Sequence, residues 1–315
     1  MAVPPQPDDR PAIGILLMLG FCGLAPLADA VAKLLGDRMD VGQLVLIRFL
    51  AQMVLLGPIV LHLGRFEWPT GRILRLTMVR TVLHIIGIGT MFLALRYLPL
   101  ADAIAIAFVM PFILLILGHF VLHETVGRRR IIACFVGFLG TLMVIQPSFA
   151  NVGWPALLPL VVAVVFALFI LVTRSVAKEI DPLNLQTVSG IFALALLVPV
   201  ILIASVSGIP GLRLSQPEAS DWGLVIALGA LGTIGHLLMT WSLRFAPSAT
   251  LAPMQYLEIP FAALIGWLIF RDFPNGLAFA GIVLTIAAGI YVLMRERAIN
   301  RSATQAQGPA PPVAE

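Results

Sequence analysis

The sequence predicts an all-α membrane protein, with ten transmembrane helices arranged as two inverted five-helix repeats around a central cavity. Three observations predict it: a hydropathy too high for a water-facing surface, a one-sided distribution of Arg and Lys, and segments that recur at nearly one spacing. Of the 315 residues, 60% are hydrophobic and 11% charged, with a mean hydropathy of +1.01. Soluble domains carry about 25% charged residues. A chain this poor in charge cannot clothe a water-facing surface, so most of its solvent is lipid. Its apolar runs do not alternate with polar residues as barrel strands do. Helices satisfy their own backbone hydrogen bonds in hydrocarbon, so helices are the expected spans.

A crossing of about 30 Å of hydrocarbon takes about 20 apolar residues. Runs of suitable length, bounded by polar or Pro/Gly punctuation, fall at 12–35, 43–63, 75–96, 100–122, 130–146, 155–173, 183–205, 222–243, 247–270 and 276–294. An N-terminal tail at 1–11 and an Ala/Gln/Pro-rich tail at 298–315, expected to be disordered, flank them. The N-terminus lacks the cationic start and small-residue cleavage site of a secretory signal, so the first helix is expected to insert and stay. With the N-terminus in the cytoplasm, thirteen Lys and Arg fall on the inside and four outside (Arg38, Arg96, Arg213 and Arg271). Lys33, Arg48 and Arg80 lie within spans. The excess on one side supports cytoplasmic termini and an even number of spans, eight or ten on this count. It also accounts for the net charge of +4 without nucleic-acid binding.

Leu95-Arg96-Tyr97-Leu98-Pro99-Leu100-Ala101 is matched by Leu243-Arg244-Phe245-Ala246-Pro247-Ser248-Ala249, an offset of 148 residues. The same offset carries Glu124 to Asp272, each closing an apolar run, and Val31-Ala32-Lys33 recurs as Val176-Ala177-Lys178 at 145. The halves then run 12–146 and 155–294, with five spans each. An odd number of spans per half makes the second copy enter from the other side, an arrangement found in secondary transporters with a midplane site between the halves.

These residues resemble the EamA type of the drug/metabolite transporter superfamily. The resemblance rests on Lys33 near the end of the first span, Arg48 early in the second, and the acidic Glu124 and Asp272 at the ends of the fourth and ninth. It implies ten helices in two inverted halves, cytoplasmic termini, and a location in a bacterial inner membrane. More narrowly, Asp29-Ala30-Val31-Ala32-Lys33, Arg48-Phe49, Ala252-Pro253-Met254-Gln255-Tyr256-Leu257-Glu258 and Phe270-Arg271-Asp272-Phe273-Pro274 resemble bacterial S-adenosylmethionine uptake transporters. That subgroup tends to have Asn before the first-span Asp, where this chain has Ala28. EamA proteins also carry amino acids, riboflavin and drugs, in either direction, so import and export both stay open.

Ionisable groups inside spans cost about 2.5–3.5 kcal/mol each and are functional candidates by default. Asp29 and Lys33, four residues apart, share a helix face and can pair; they line the outer end of the cavity as part of a gate, or form an ion pair near the interface. Arg48 can pair with Asp29 or hold a substrate carboxylate. Arg80, near the cytoplasmic start of its span, is a candidate for substrate binding or transport, or snorkels to headgroups. His84 and His236, mid-span, can carry a coupling proton or pack as ordinary core histidines. Asp102 begins its span, where a helix N-terminus favours a carboxylate. Glu258 beside Tyr256 suits a cationic substrate group, with Trp241, Tyr256 and Gln255 adding stacking and hydrogen bonds. Pro111 and Pro260 hold nearly corresponding positions and are candidate hinges.

Cys22 and Cys134 have no metal-site spacing, and no metal or cofactor is expected. The expected partners are a small-molecule substrate, the bilayer, and a coupled proton or counter-substrate, with the protein a monomer or homodimer. An intramembrane enzyme finds no support: there is no Gly-x-Ser-x-Gly and no Walker A motif. A passive channel is the remaining alternative.

Overall fold

The computed structural model describes residues 10–122, 128–272 and 274–306, and among them every regular element is helical. The elements are α1 (Pro11–Gly36), α2 (Val41–His62), α3 (Gly71–Leu95), α4 (Leu100–Ala107), α5 (Met110–Leu122), α6 (Arg128–Val152), α7 (Leu158–Val176), α8 (Pro182–Val206), α9 (Trp222–Phe245), α10 (Ser248–Gln255), α11 (Glu258–Ile265) and α12 (Gly276–Ala306). A 3-10 turn at Trp154–Leu157 leads into α7, and a π-helical stretch, Gly266–Phe270, closes α11. Seven stretches among the described residues are long and apolar enough to cross a membrane. They are α1, α2, α3, α4 with α5, the 3-10 turn with α7, α8 and α9.

The expected fourth and ninth spans are each interrupted. α4 stops at Ala107 and α5 restarts at Met110; α10 stops at Gln255 and α11 restarts at Glu258. Pro111 and Pro260 have no N–H for the carbonyls of Ala107 and Tyr256, four residues earlier, so the ladder lacks a bond at each break. Proline alone is not sufficient, since Pro26, Pro58 and Pro199 lie inside unbroken helices. The two breaks also share a place in the fold, as both border the cavity described below. Starts at Leu100 and Ser248 and restarts at Met110 and Glu258 repeat the 148-residue offset. The acidic residue at 124 and Phe273 lie outside the described residues, as does the side chain of Cys134.

α12 runs on to Ala306, into the segment expected to be disordered. Extending a helix already anchored by packing avoids the cost of nucleation, and the Ala, Arg and Gln found there are good helix formers.

The helices pair across the halves: α1 lies on α9, α3 on α7, α2 on α8, and α6 on α12. Small residues permit the close approaches. A Cβ added to Gly14 would stand 2.6 Å from Ala246 Cβ, and one on Gly140 would stand 2.6 Å from the Gly281 carbonyl oxygen. Large apolar side chains remain on the outside, including Leu16 (67% exposed), Phe120 (72%) and Val206 (91%). Water would penalise this surface and hydrocarbon does not. Trp68, Tyr97, Trp154 and Trp222 are exposed near helix ends, where membrane–water interfaces favour aromatic rings.

Loops at the two ends tie the halves together. At one end, Asp40 at the N-terminus of α2 accepts from the Arg213 backbone N–H (3.0 Å), and Arg38 bonds Asp221. At the other, Asp181 caps α8, accepting from Leu183 and Asn184 N–H groups, and meets Arg65 at 3.7 Å. Asn184 also donates to the Glu67 carbonyl (2.7 Å).

Candidate functional site

A cavity opens between the halves. α1 brings Phe21, Ala28 and Asp29; α2 brings Arg48; α3 brings Met91 and Phe92; α7 brings Phe166; α9 brings Gly232 and His236. The broken segments supply Phe108 and Met110 on one side and Gln255 and Glu258 on the other. The cavity's walls are apolar, with four phenylalanines, and its ionisable groups are Asp29, Arg48, His236 and Glu258.

Arg48 is the pivot of this polar side. It is 2% exposed, and its Nη2 donates to His236 Nδ1 at 2.8 Å. Arginine has only donors, so this bond is made by the tautomer that leaves Nδ1 bare, whereas a bond to a carbonyl needs the other tautomer. The Gly232 carbonyl lies 3.1 Å from the same Nδ1. Gly232 leaves the room that the guanidinium occupies, because a Cβ there would sit 1.9 Å from Nε and 2.1 Å from Cζ. Arg48 Nη1 and His236 Nε2 have no hydrogen-bond partner among the described residues. Glu258 is the first residue of α11 and is 8% exposed, within electrostatic reach of Asp29. With both carboxylates ionised, Arg48 offsets one of them and the chamber holds one net negative charge. Gln255 is fully buried; its Nε2 reaches Met18 Sδ at 4.0 Å and its Oε1 has no hydrogen-bond partner among the described residues.

Several expected residues stand elsewhere. Lys33 does not join Asp29 in an ion pair; it donates to the Leu98 carbonyl and sits 5.4 Å from the Phe270 ring centroid. Asp37, Asp102 and Asp272 are its charged neighbours. One helical turn separates Asp29 from Lys33, and that turn carries the lysine past the cavity to its outer rim. Asp102 lies in the first turn of α4, at the same rim. Tyr256 is fully buried but faces α6: a Cβ on Gly137 would meet its Cζ at 2.6 Å, and Phe108 lies 5.6 Å away. Trp241 is five residues past His236, about 140° around the helix, and does not line the cavity.

Arg80 does not line the cavity. It does not snorkel; it is 0% exposed. Its Nε donates to Thr173 Oγ1 (2.9 Å), Nη1 to Ser189 Oγ (2.8 Å), and Nη2 to Gln186 Oε1 (3.2 Å) and Thr240 Oγ1 (3.4 Å). The Phe169 ring packs 4.7 Å from its Cζ. The face of α3 that carries it turns to α7, α8 and α9, which supply neutral oxygens in place of headgroup phosphates. His84, one turn further, is also fully buried. It stacks on Phe169 (4.5 Å) behind His236 (4.3 Å), outside the cavity wall, and neither of its ring nitrogens has a hydrogen-bond partner among the described residues. Sequence reasoning missed Thr173, Gln186, Ser189 and Thr240, which are unremarkable singly. The available signal was an unusual set of polar residues in apolar runs, with no carboxylate for the arginine.

The EamA-like transporter family model matches this chain twice, over residues 12–146 and 153–295. The chain is 22% identical over 289 residues to the riboflavin transporter of Brucella anthropi, covering 91% of this chain and all of that one. It is 23% identical over 279 residues to the S-adenosylmethionine uptake transporter of Rickettsia prowazekii, covering 89% and 92%. It is 28% identical over 214 residues to the pseudopaline exporter of Pseudomonas aeruginosa, covering 68% and 72%. A solved crystal structure superposes with a TM-score of 0.66 at 17% identity, covering 91% of this chain and 97% of that one, a likeness of fold alone. The chain belongs to the EamA-like transporter family: it is a membrane-embedded small-molecule transporter, not an enzyme.

Proposed function

We propose that this transporter carries a small nitrogen-containing metabolite, cationic or zwitterionic and of the S-adenosylmethionine or amino-acid kind, across a bacterial inner membrane. The observation that carries the reading is one chamber holding Asp29, Glu258 and the unpartnered Nη1 of Arg48 against four phenylalanine walls. The carboxylates suit an ammonium or sulfonium centre, Arg48 suits a carboxylate, and the aromatic walls suit a cation or a flat ring. The S-adenosylmethionine transporter of Rickettsia prowazekii agrees with this choice.

In this reading the chain crosses the membrane ten times, the broken segments α4–α5 and α10–α11 counting once each, with both termini cytoplasmic. The halves are inverted copies that rock about the cavity in alternating access, with Pro111 and Pro260 as hinges. Support comes from the helix pairing: α1 on α9 and α3 on α7 exchange under a two-fold swap of halves, while α2 with α8 and α6 with α12 are self-paired. A coupled proton or counter-substrate completes the cycle.

A second reading, a riboflavin-type vitamin carrier, draws on the same aromatic walls and on the Brucella anthropi relative. Uptake into vesicles separates them. Wild type is expected to accumulate S-adenosylmethionine, and Glu258→Gln to lose at least tenfold in rate, equivalent to about 1.4 kcal/mol. Undiminished S-adenosylmethionine uptake by the variant overturns the role of Glu258. Riboflavin uptake without S-adenosylmethionine uptake selects the second reading.

A further inference from the structure

The cavity stops short of one end of the molecule, and what closes that end is polar. Along α3 the cavity residues are Ile88, Met91 and Phe92, whereas Arg80 lies eight residues earlier, about 12 Å along the axis. On α7 the lining residues Val162, Phe166 and Ile170 precede Thr173; on α9, Leu231 to His236 precede Thr240. On α8, Gln186 and Ser189 occupy the first two turns. These neighbours form a seam between the cavity and the end where α3 and α8 begin and α7 and α9 finish. That end carries Arg65, Arg72, Arg174, Lys178 and Arg244, so it is the cytoplasmic end in the ten-span reading.

The seam is built unlike a packing contact. Arg80 bridges α3 of the first half to three helices of the second through hydroxyl and amide oxygens. None of the ion pairs among the described residues includes it. Among the described residues, buried polar atoms at the level of the cavity and toward Arg80 stand without hydrogen-bond partners: Gln52 Oε1, both ring nitrogens of His84, Thr233 Oγ1 and His236 Nε2. Native cores rarely leave such atoms unpaired. Here His84 stands one turn from Arg80 on α3, and His236 one turn from Thr240 on α9. An apolar plug would close the path more stably. A row of neutral donors and acceptors around one cation instead offers exchangeable bonds, which water or a passing ligand can take over one at a time.

We propose that this seam is the shut cytoplasmic leg of the translocation path, and that Arg80 is a second station on it for an anionic group of the cargo, such as a carboxylate. The inference rests on the alternating-access reading. In the inward-open state the bonds from Arg80 to α7, α8 and α9 part, and the guanidinium faces water.

Thiol labelling tests this without knowledge of the substrate. In a Cys22→Ala/Cys134→Ala background, Ser189→Cys and Thr240→Cys place thiols on the seam, and Val188→Cys places one at the same depth on the neighbouring flank of α8. All three positions are at most 0% exposed in this state. Inside-out vesicles are treated with methanethiosulfonates of opposite charge, sulfonatoethyl and trimethylammonioethyl. The seam thiols are expected to react and Val188→Cys to stay silent. Relative to a free thiol, the anionic reagent is favoured at least about tenfold, the effect of one positive charge on two opposite probes about 6 Å away even in water. Arg80→Gln abolishes that preference and Arg80→Lys retains it. Silent seam thiols, or labelling equal to that of Val188→Cys, overturn the path. Labelling without charge preference, or a preference that survives Arg80→Gln, overturns the station. Uptake of S-adenosylmethionine and riboflavin is measured in the same vesicles, so failure of the transport reading shows separately from either result.

Discussion

Adding one methyl group at Gly232 should disable the chamber while leaving the fold in place. A Cβ there falls 1.9 Å from Arg48 Nε and 2.1 Å from Cζ. Carbon and nitrogen rest at about 3.5 Å, so the guanidinium must retreat by on the order of 1.5 Å. The 2.8 Å bond to His236 does not survive that displacement. A hydrogen bond to a charged group contributes about 1.5–3 kcal/mol, and Ala over Gly in a helix returns about 1 kcal/mol. The net loss of stability is then about 0.5–2 kcal/mol, a fall in Tm of a few degrees at about 2–4 °C per kcal/mol. Transport should suffer more, because Arg48 is moved from the position proposed for it beside a substrate carboxylate; we expect at least about a tenfold loss. Gly235→Ala is the matched control, on the same helix and also lining the cavity: its Cβ would meet Leu24 and Phe21 at 3.6 and 3.8 Å, ordinary contact distances. Thermal unfolding in detergent and vesicle uptake check both variants. If Gly232→Ala matches Gly235→Ala in Tm and in uptake, the assigned role of the Arg48–Gly232 contact is wrong.

Two further outcomes follow from the packing and the breaks. Pro111→Ala and Pro260→Ala each restore an N–H to a ladder interrupted beside the cavity, so both should raise Tm and slow uptake; a variant that is more stable and equally fast removes that proline from the hinge reading. Gly140→Ala sets a Cβ 2.6 Å from a backbone oxygen of Gly281, where no flexible side-chain end can yield, and should cost about 1–3 kcal/mol. Gly23→Ala, with nothing within 4 Å, should cost nothing measurable on the same melting curves.

Composition and periodicity determined the solvent. Long apolar runs with 11% charge leave helices in lipid as the workable solution, and the recurring Arg-x-x-Pro corner marked two related halves before any coordinates. The cavity group was partly legible too, because charges are rare enough in apolar runs that Asp29, Arg48, His236 and Glu258 stood out singly. Which way each side chain turns was not legible. Asp29 and Lys33 share a face in sequence, yet one lines the cavity and the other reaches a carbonyl at its rim. Tyr256 and Glu258, two residues apart, end on opposite sides of a broken helix. The contrast is sharpest at Arg80, where the sequence showed a lone cation near a helix start, and both headgroups and a buried site satisfy that description. Only the tertiary structure brought Thr173, Gln186, Ser189 and Thr240 from three other helices to the same guanidinium. Hydrophobicity is a property of each residue and sums along the chain, whereas the solvation of a buried charge depends on partners that chain order does not place beside it.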